Sequence, residues 1–276
     1  MSAKPAHAPA RMGDPGSGLK LFAIAYLIFI YGPVLFLPLF SFNDSIFVAF
    51  PLKSFTTKWY EQAFADEKMI GALISSLQVG GIVAVVSTVL GMFGAKAVTR
   101  YQIPGQGLIT ATIMLPLFIP EIILGISLLI LINSVGISLS LITVTIGHIM
   151  LCTPFAMAVL SSRLHGFDRS LEEASMDLGE TPWMTFWRVT FPLAAPGIVS
   201  SLLLTFIVSF DEFLLSFFLA GQEPTLPVYI WSQLRFPNKL PSVLALGALI
   251  LIASCVLVVV AEWVRQLGTS EQKVGV

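Results

Sequence analysis

Three carboxylates and one histidine lie inside long apolar runs: Glu121, His148, Asp211 and Glu212. An ionised Asp at the centre of a membrane helix costs about 2.5–3.5 kcal/mol on the insertion scale, so such residues seldom face lipid. Carboxylates in that setting can replace part of the hydration shell of a cation. Two opposite charges about 4 Å apart interact by roughly 4 kcal/mol at an effective dielectric of 20. Other chemistries lack their residues. There is no G-x-x-x-x-G-K-[ST] phosphate loop and no H-E-x-x-H, so the chain is expected to be non-catalytic, with no cofactor of its own. Cys152 and Cys255 stand in apolar runs without a Cys-x-x-Cys spacing and are expected to pack rather than to hold a metal or form a disulfide.

The elements that must position those acids follow from composition. Of 276 residues, 56% are hydrophobic and 11% charged, and the mean hydropathy is +0.88, far from a soluble domain with about 25% charge. The net charge of -1 offers no basic surface for nucleic acid. Six stretches reach the length of about 20 apolar residues that a membrane helix needs, at roughly 19–42, 70–96, 107–133, 139–161, 197–221 and 242–264. Lipid cannot satisfy a free backbone, so these are predicted to be helices of an all-α bundle spanning 19–264. Residues 1–18 are Pro/Gly/Ala-rich and expected to be a disordered tail, the first run an uncleaved helix, and 265–276 a second tail.

In the fifth span Asp211 and Glu212 fall near the middle. Ser201, Thr205, Ser209, Glu212 and Ser216 recur at spacings of four, four, three and four, one polar stripe on an apolar helix. Glu212, Ser209 and Thr205 are therefore expected along a wet or buried seam. Asp211, about 100° away, is expected to meet a neighbouring helix or a partner subunit. In the third span Pro116 and Pro120 predict a kink beside Glu121, which either joins a solute pathway or is held by a neighbouring Ser or Thr for packing. His148 shares a face with Thr145 and Cys152 and reads as a satisfied interior histidine. Gly80, Ala84, Ser87, Gly91 and Ala95 mark a small-residue face for close helix packing in the second span.

One stretch breaks the apolar pattern, residues 162–196. Ser170-Leu171-Glu172-Glu173 matches a capping box, Leu171, Ala174, Ser175 and Leu178 follow at helical spacing, and Gly179 stands at a helix stop. Thr181 and Pro182 then predict a second short amphipathic helix, carrying Trp183, Phe186, Trp187 and Thr190 on one face and ended by Phe191-Pro192. Two such helices either lie on the bilayer surface or dock a soluble partner. Of the 15 basic residues, Lys4, Arg11, Lys20, Lys96, Arg100, Arg163, Arg169, Arg188, Arg265 and Lys273 fall on the side of the termini and of this loop, against Lys53, Lys58, Lys68, Arg235 and Lys239 opposite. The excess predicts that both termini and the loop face the cytoplasm. Asn43-Asp44-Ser45 fits a glycosylation pattern and carries no weight beside a membrane helix.

Glu173-Ala174-Ser175, three residues, Gly179, nine residues and then Val189-Thr190-Phe191-Pro192 resemble the cytoplasmic EAA motif of permease subunits of bacterial ATP-binding-cassette importers. Ser175, Val189 and Phe191 depart mildly from that pattern, while the Glu and Gly anchors stand. The resemblance implies a type I importer permease whose coupling helix, with Glu173, Ala174, Ser175, Leu178 and Gly179, sits in a groove of the ATPase subunit. Glu173 could instead serve only as a cap of its own helix. From about 21 to 263 the chain looks like the second permease of the spermidine/putrescine branch, on "YGPVLFLPLFSFN", "TKWYEQAF", "LPLFIPEIILGISLL", "SSRLHGFDRSLEEASMDLG" and "SFDEFLLSFFLAG" with "TLP". That implies alternating access in the inner membrane, a second permease, two ATP-binding subunits holding ATP and Mg, and an extracytoplasmic polyamine-binding protein. Related branches carry iron, sulfate, molybdate or phosphonates. A self-contained ion-coupled transporter using Glu121, Asp211 and Glu212 is the rival from another class, although the chain shows no repeated halves with matching broken helices.

Overall fold

Where water is excluded, a backbone that departs from the helix must find each freed amide another partner, so the points of departure are the informative ones. A computed structural model describes residues 16–270, with side chains from Gly18 to Val256. Its elements in order are α1 (Ser17–Ser41), α2 (Lys58–Ala65), α3 (Glu67–Arg100), α4 (Gln106–Met114) with a 3-10 turn (Leu115–Leu117), α5 (Glu121–Ser134), α6 (Leu141–His165), α7 (Ser170–Asp177), α8 (Pro182–Thr185), a π-turn (Phe186–Thr190), α9 (Phe191–Asp211), α10 (Leu214–Leu219), α11 (Leu226–Gln233) and α12 (Leu240–Ser270). Among the described residues there is no strand, only an isolated bridge between Asn43 and Phe55. The expected 1–18 tail lies almost wholly outside the described residues, and the expected 265–276 tail is helical through Ser270, because α12 runs on.

Among the described residues, four helical stretches are long and apolar enough to cross a membrane: Gly18–Ser41, Glu67–Arg100, Leu141–His165 and Pro182–Asp211. The third predicted span is not one kinked helix. It is a pair, Gln106–Leu117 and Glu121–Ser134, bent by 99°. Pro116 and Pro120 remove two backbone donors four residues apart, and Pro120 caps α5 instead of continuing α4. The sixth predicted span falls on α12, whose apolar described part is Leu240–Val256.

The chain divides into two units. The first joins Met1–Ala65 and Phe236–Val276, with α12 packed on α1 and α2. Its loop is tied by Asn43, which is buried: its Oδ1 accepts from the Lys53 amide at 2.9 Å and its carbonyl from Trp59 Nε1 at 2.8 Å. The amide of the glycosylation-like triplet is thus engaged in the fold. Cys255 is exposed on α12 rather than packed.

The second unit, Asp66–Arg235, is built on α3, α6 and α9. Asp66 caps α3 by accepting from the Met69 amide. Gly80, Ala84, Ser87, Gly91 and Ala95 are all buried on α3, and this face lets the helices approach closely. A Cβ on Gly91 would stand 2.6 Å from the Ala156 Cβ and 2.8 Å from the Met157 amide nitrogen on α6. On Gly80 it would stand 3.1 Å from the Phe206 ring of α9. The apolar core around Val83, Val144, Leu151, Leu215 and Leu219 fills the space beside this contact.

Gly91→Val should therefore cost about 1–3 kcal/mol through overpacking. The obstacle is backbone, which cannot rotate away. Purified Gly91→Val should lose thermal stability and folded yield, whereas Gly81→Ala, with nothing within 4 Å of the added Cβ, should match the parent in the same size-exclusion and thermal-shift measurements.

Candidate functional site

The polar stripe is a buried seam inside the second unit. Ser201, Thr205 and Ser216 are fully buried, Ser209 and Glu212 nearly so. Thr88 and Ser201 hydroxyls meet at 3.0 Å between α3 and α9, and the Thr205 hydroxyl donates to the Ser201 carbonyl at 2.7 Å. His148 of α6 bonds through Nδ1 to Ser209 at 2.8 Å and through Nε2 to Ser216 at 3.1 Å, so both ring nitrogens are occupied. Cys152 packs beside them, with its thiol against the Thr205 carbonyl. The Ser209 hydroxyl thus joins α9 to α6, while the Thr205 hydroxyl bonds back within α9. Among the described residues no group of His, Cys, Asp and Glu is arranged to hold a metal.

The acids are not at the middle of a continuous fifth helix. α9 ends at Asp211, Glu212 adopts an extended backbone, and α10 starts two residues later. The break needs neither Pro nor Gly, because the Glu212 carboxylate takes over as acceptor for the Leu215 amide at 3.0 Å, at the positive end of α10. Asp211, next to it, is exposed. Glu121 is also exposed, in the first turn of α5 directly after the bend, and is near enough to Glu212 for the two charges to interact. Two interruptions of membrane-length helices therefore each carry an acid, and the three carboxylates belong to one region. Aromatic rings flank it: Phe213 stands 5.6 Å from Phe217 and 5.9 Å from Trp231, and Phe206 stacks on Phe210 at 5.8 Å.

At the other end of α9, the loop between α6 and α9 differs from its expected capping. Ser170 is already helical and makes no capping box. Asp168 Oδ1 accepts from the Ser170 amide at 3.0 Å, and that amide and hydroxyl hold the Asp168 carboxyl below the usual carboxylate range. Glu173 reaches Arg169 at 3.0 Å on the exposed surface. The stop at Gly179 is as the sequence indicates: its φ is +94°, its amide bonds to the Met176 carbonyl and the Glu180 amide to the Ser175 carbonyl, closing a Schellman turn. Thr181 caps α8 by accepting from the Met184 amide at 3.3 Å. Phe191-Pro192 does not end that helix, however. A π-turn, with the Phe191 amide bonded to the Phe186 carbonyl, absorbs the missing donor of Pro192 and carries the chain straight into α9.

The periodic apolar residues of α7 point outward. Leu178 is 87% exposed, Leu171 47% and Met176 41%, Ala174 and Glu173 are exposed, and Ser175 is half-buried with its hydroxyl 3.1 Å from that of Thr185. The inward residue is Glu172, 7% exposed, ion-paired with Arg100 at 2.7 Å and accepting from the Thr190 hydroxyl. Sequence reasoning missed Glu172 and Arg100. Periodicity scores apolar faces, and a buried ion pair between the end of α3 and α7 leaves no periodic trace.

The sequence pattern of binding-protein-dependent transport system inner membrane components matches residues 87–267. The putrescine transport system permease protein PotI of Escherichia coli strain K12 is 34% identical over 231 residues, covering 81% of this chain and 82% of the relative. The spermidine/putrescine transport system permease protein PotC of Haemophilus influenzae is 31% identical over 246 residues, covering 89% and 95%. In fold, the chain resembles a subunit of a bacterial ABC transporter involved in the import of the acidic polysaccharide alginate, with a TM-score of 0.69 at 17% identity over 95% of this chain and 99% of that one.

Two substitutions separate the charge of Glu212 from its capping bond. Glu212→Gln keeps an oxygen for the Leu215 amide and should leave thermal stability close to the parent. Glu212→Ala leaves a buried donor unpaired and should cost about 1–3 kcal/mol. Equal melting temperatures for the Ala and Gln variants would show that the cap does not hold the break.

Proposed function

This chain belongs to the family of binding-protein-dependent transport system inner membrane components, and we propose that it is one of two permeases of an ATP-driven polyamine importer. In this reading an extracytoplasmic binding protein delivers putrescine or spermidine to a path shared with a second permease. Two ATP-binding subunits, which supply ATP and Mg, dock on α7 from the cytoplasm and drive alternating access. The chain itself performs no catalysis and holds no cofactor.

The observation that carries the coupling role is the outward face of α7. A free helix in water would turn Leu171, Met176 and Leu178 inward and Glu172 outward; here the arrangement is reversed, as a surface made for a protein groove requires. Glu173, Ala174, Ser175, Leu178 and Gly179 form the contact, with Gly179 setting where the helix ends. Leu178→Asp should abolish co-purification of the ATP-binding subunit while the chain still inserts and melts like the parent. Retention of that subunit on Leu178→Asp would sink the docking role. Gly179→Ile, a β-branched residue at positive φ, should weaken the same association because the turn must shift.

The cargo reading rests on the acids at the two helix breaks and on the polyamine permeases among the relatives. Unwound backbone at membrane depth belongs where it lines a cavity, and Asp211, Glu121 and Glu212 place negative charge there. Such a region repels sulfate or molybdate. Phe213 and Phe217 add cation–π contacts of about 0.5–2 kcal/mol. In an assembled complex Glu212→Gln, which keeps the cap, should lower polyamine uptake by about tenfold, the loss of about 1.4 kcal/mol. Undiminished uptake would make Glu212 a cap alone.

The proposed orientation puts both termini and α7 in the cytoplasm. Lys53 should react with an impermeant amine reagent from outside, ahead of Lys58, whose ammonium is engaged by Asp44. Lys273 should react only after permeabilisation. Labelling of Lys273 in sealed cells would reverse the topology.

A further inference from the structure

A docking helix moves a membrane domain only if something joins it to the spanning helices. The covalent connections of α7 are short: Gly166 to Arg169 leads back to α6, and the turn through Gly179 leads on to α8, both largely exposed. The first meets α3, the helix against which α6 and α9 both pack, through the ring of Phe167. The charged connection to α3 is Glu172. Its Oε2 lies 2.7 Å from Arg100 Nε at the last residue of α3, with both side chains 9% exposed. Its Oε1 accepts from the Thr190 hydroxyl, fully buried in the π-turn that leads into α9. One carboxylate therefore touches three elements, and both of its oxygens are engaged.

Arg100 has little else to compensate its charge. Its guanidinium lies 4.7 Å from the Phe167 ring, and neither its buried Nε nor its buried Nη2 is in hydrogen-bond geometry with a partner, so the contact with Glu172 is an ion pair. Apolar contacts are non-directional and let helices slide. An ion pair out of water, backed by the Thr190 hydrogen bond, resists separation, because parting it leaves a charge exposed to a poor solvent. We infer that Arg100, Glu172 and Thr190 form the joint through which α7 moves the ends of α3 and α9 as one body. Glu172, adjacent to the outward Glu173, is a positioning residue, as is Arg100. The inference rests on the proposed docking role of α7.

The experiment uses the complete complex in proteoliposomes, with polyamine-loaded binding protein, and reads polyamine imported per ATP hydrolysed. Glu172→Gln should lower that ratio by about tenfold or more in an assembled complex, because the unpaired Arg100 no longer holds α7. Arg100→Gln should do the same, Arg100→Lys should retain most of the coupling, and Glu172→Gln with Arg100→Gln should be no worse than either alone, since both remove one interaction. Thr190→Val removes only the hydroxyl bond and should lower the ratio less, in the same direction. An unchanged ratio in assembled Glu172→Gln, or additive losses in the double variant, overturns the inference. If Glu172→Gln does not assemble, Thr190→Val decides: an unchanged ratio there overturns it as well. Failure of the parent complex to respond to loaded binding protein would instead overturn the proposed function.

Discussion

A backbone amide in lipid has no water to turn to, and three departures from helix among the described residues are each matched by a replacement acceptor or by the absence of a donor. The bend between α4 and α5 sits on Pro116 and Pro120, which have no amide hydrogen to satisfy. The break between α9 and α10 is held by the Glu212 carboxylate on the Leu215 amide. The π-turn before α9 accommodates Pro192 by bonding one residue further back. These three interruptions are where the chain keeps its acids or enters the α7 loop, so the constraint that forces helices elsewhere also marks the places proposed for cargo and for docking.

The acids divide by role. Glu212 is buried and shapes the break, whereas Asp211 and Glu121 stand exposed. A carboxylate used as a cap is already partly neutralised by an amide and a helix dipole, and this lets it remain at membrane depth. The polar residues behind it, from Thr88 and Ser201 to His148, Ser209 and Ser216, pair with one another across α3, α6, α9 and α10. They hold α3, α6 and α9 in a fixed register behind the break. The small faces of α3 complete that register by bringing backbones close enough that a single Cβ at Gly91 would collide.

In the loop the usual inside-out order is inverted. Glu172 is inside and Leu178 outside, which is unfavourable for an isolated domain and suitable for one that meets a protein groove. The cost of burying Glu172 is offset by Arg100 and Thr190, and the exposed leucines are the face proposed to dock.

Length and hydropathy alone determined that the chain is a helical membrane protein, because about 20 apolar residues admit no other structure in lipid. Local rules also sufficed for the small-residue face of α3, the turn at Gly179 and the Thr181 cap, since each depends on residues a few positions apart. They failed where the partner lies far along the chain or where a side chain stands in for backbone. Ser170-Glu173 has the spacing of a capping box, yet Asp168 reaches the helix start first. Asp211-Glu212 carries no breaker, yet the helix breaks because a carboxylate can accept the freed amide. Which face of α7 turns inward was settled by Arg100, some 70 residues away in sequence, because a buried charge must meet its counter-charge and periodicity records no such pairing.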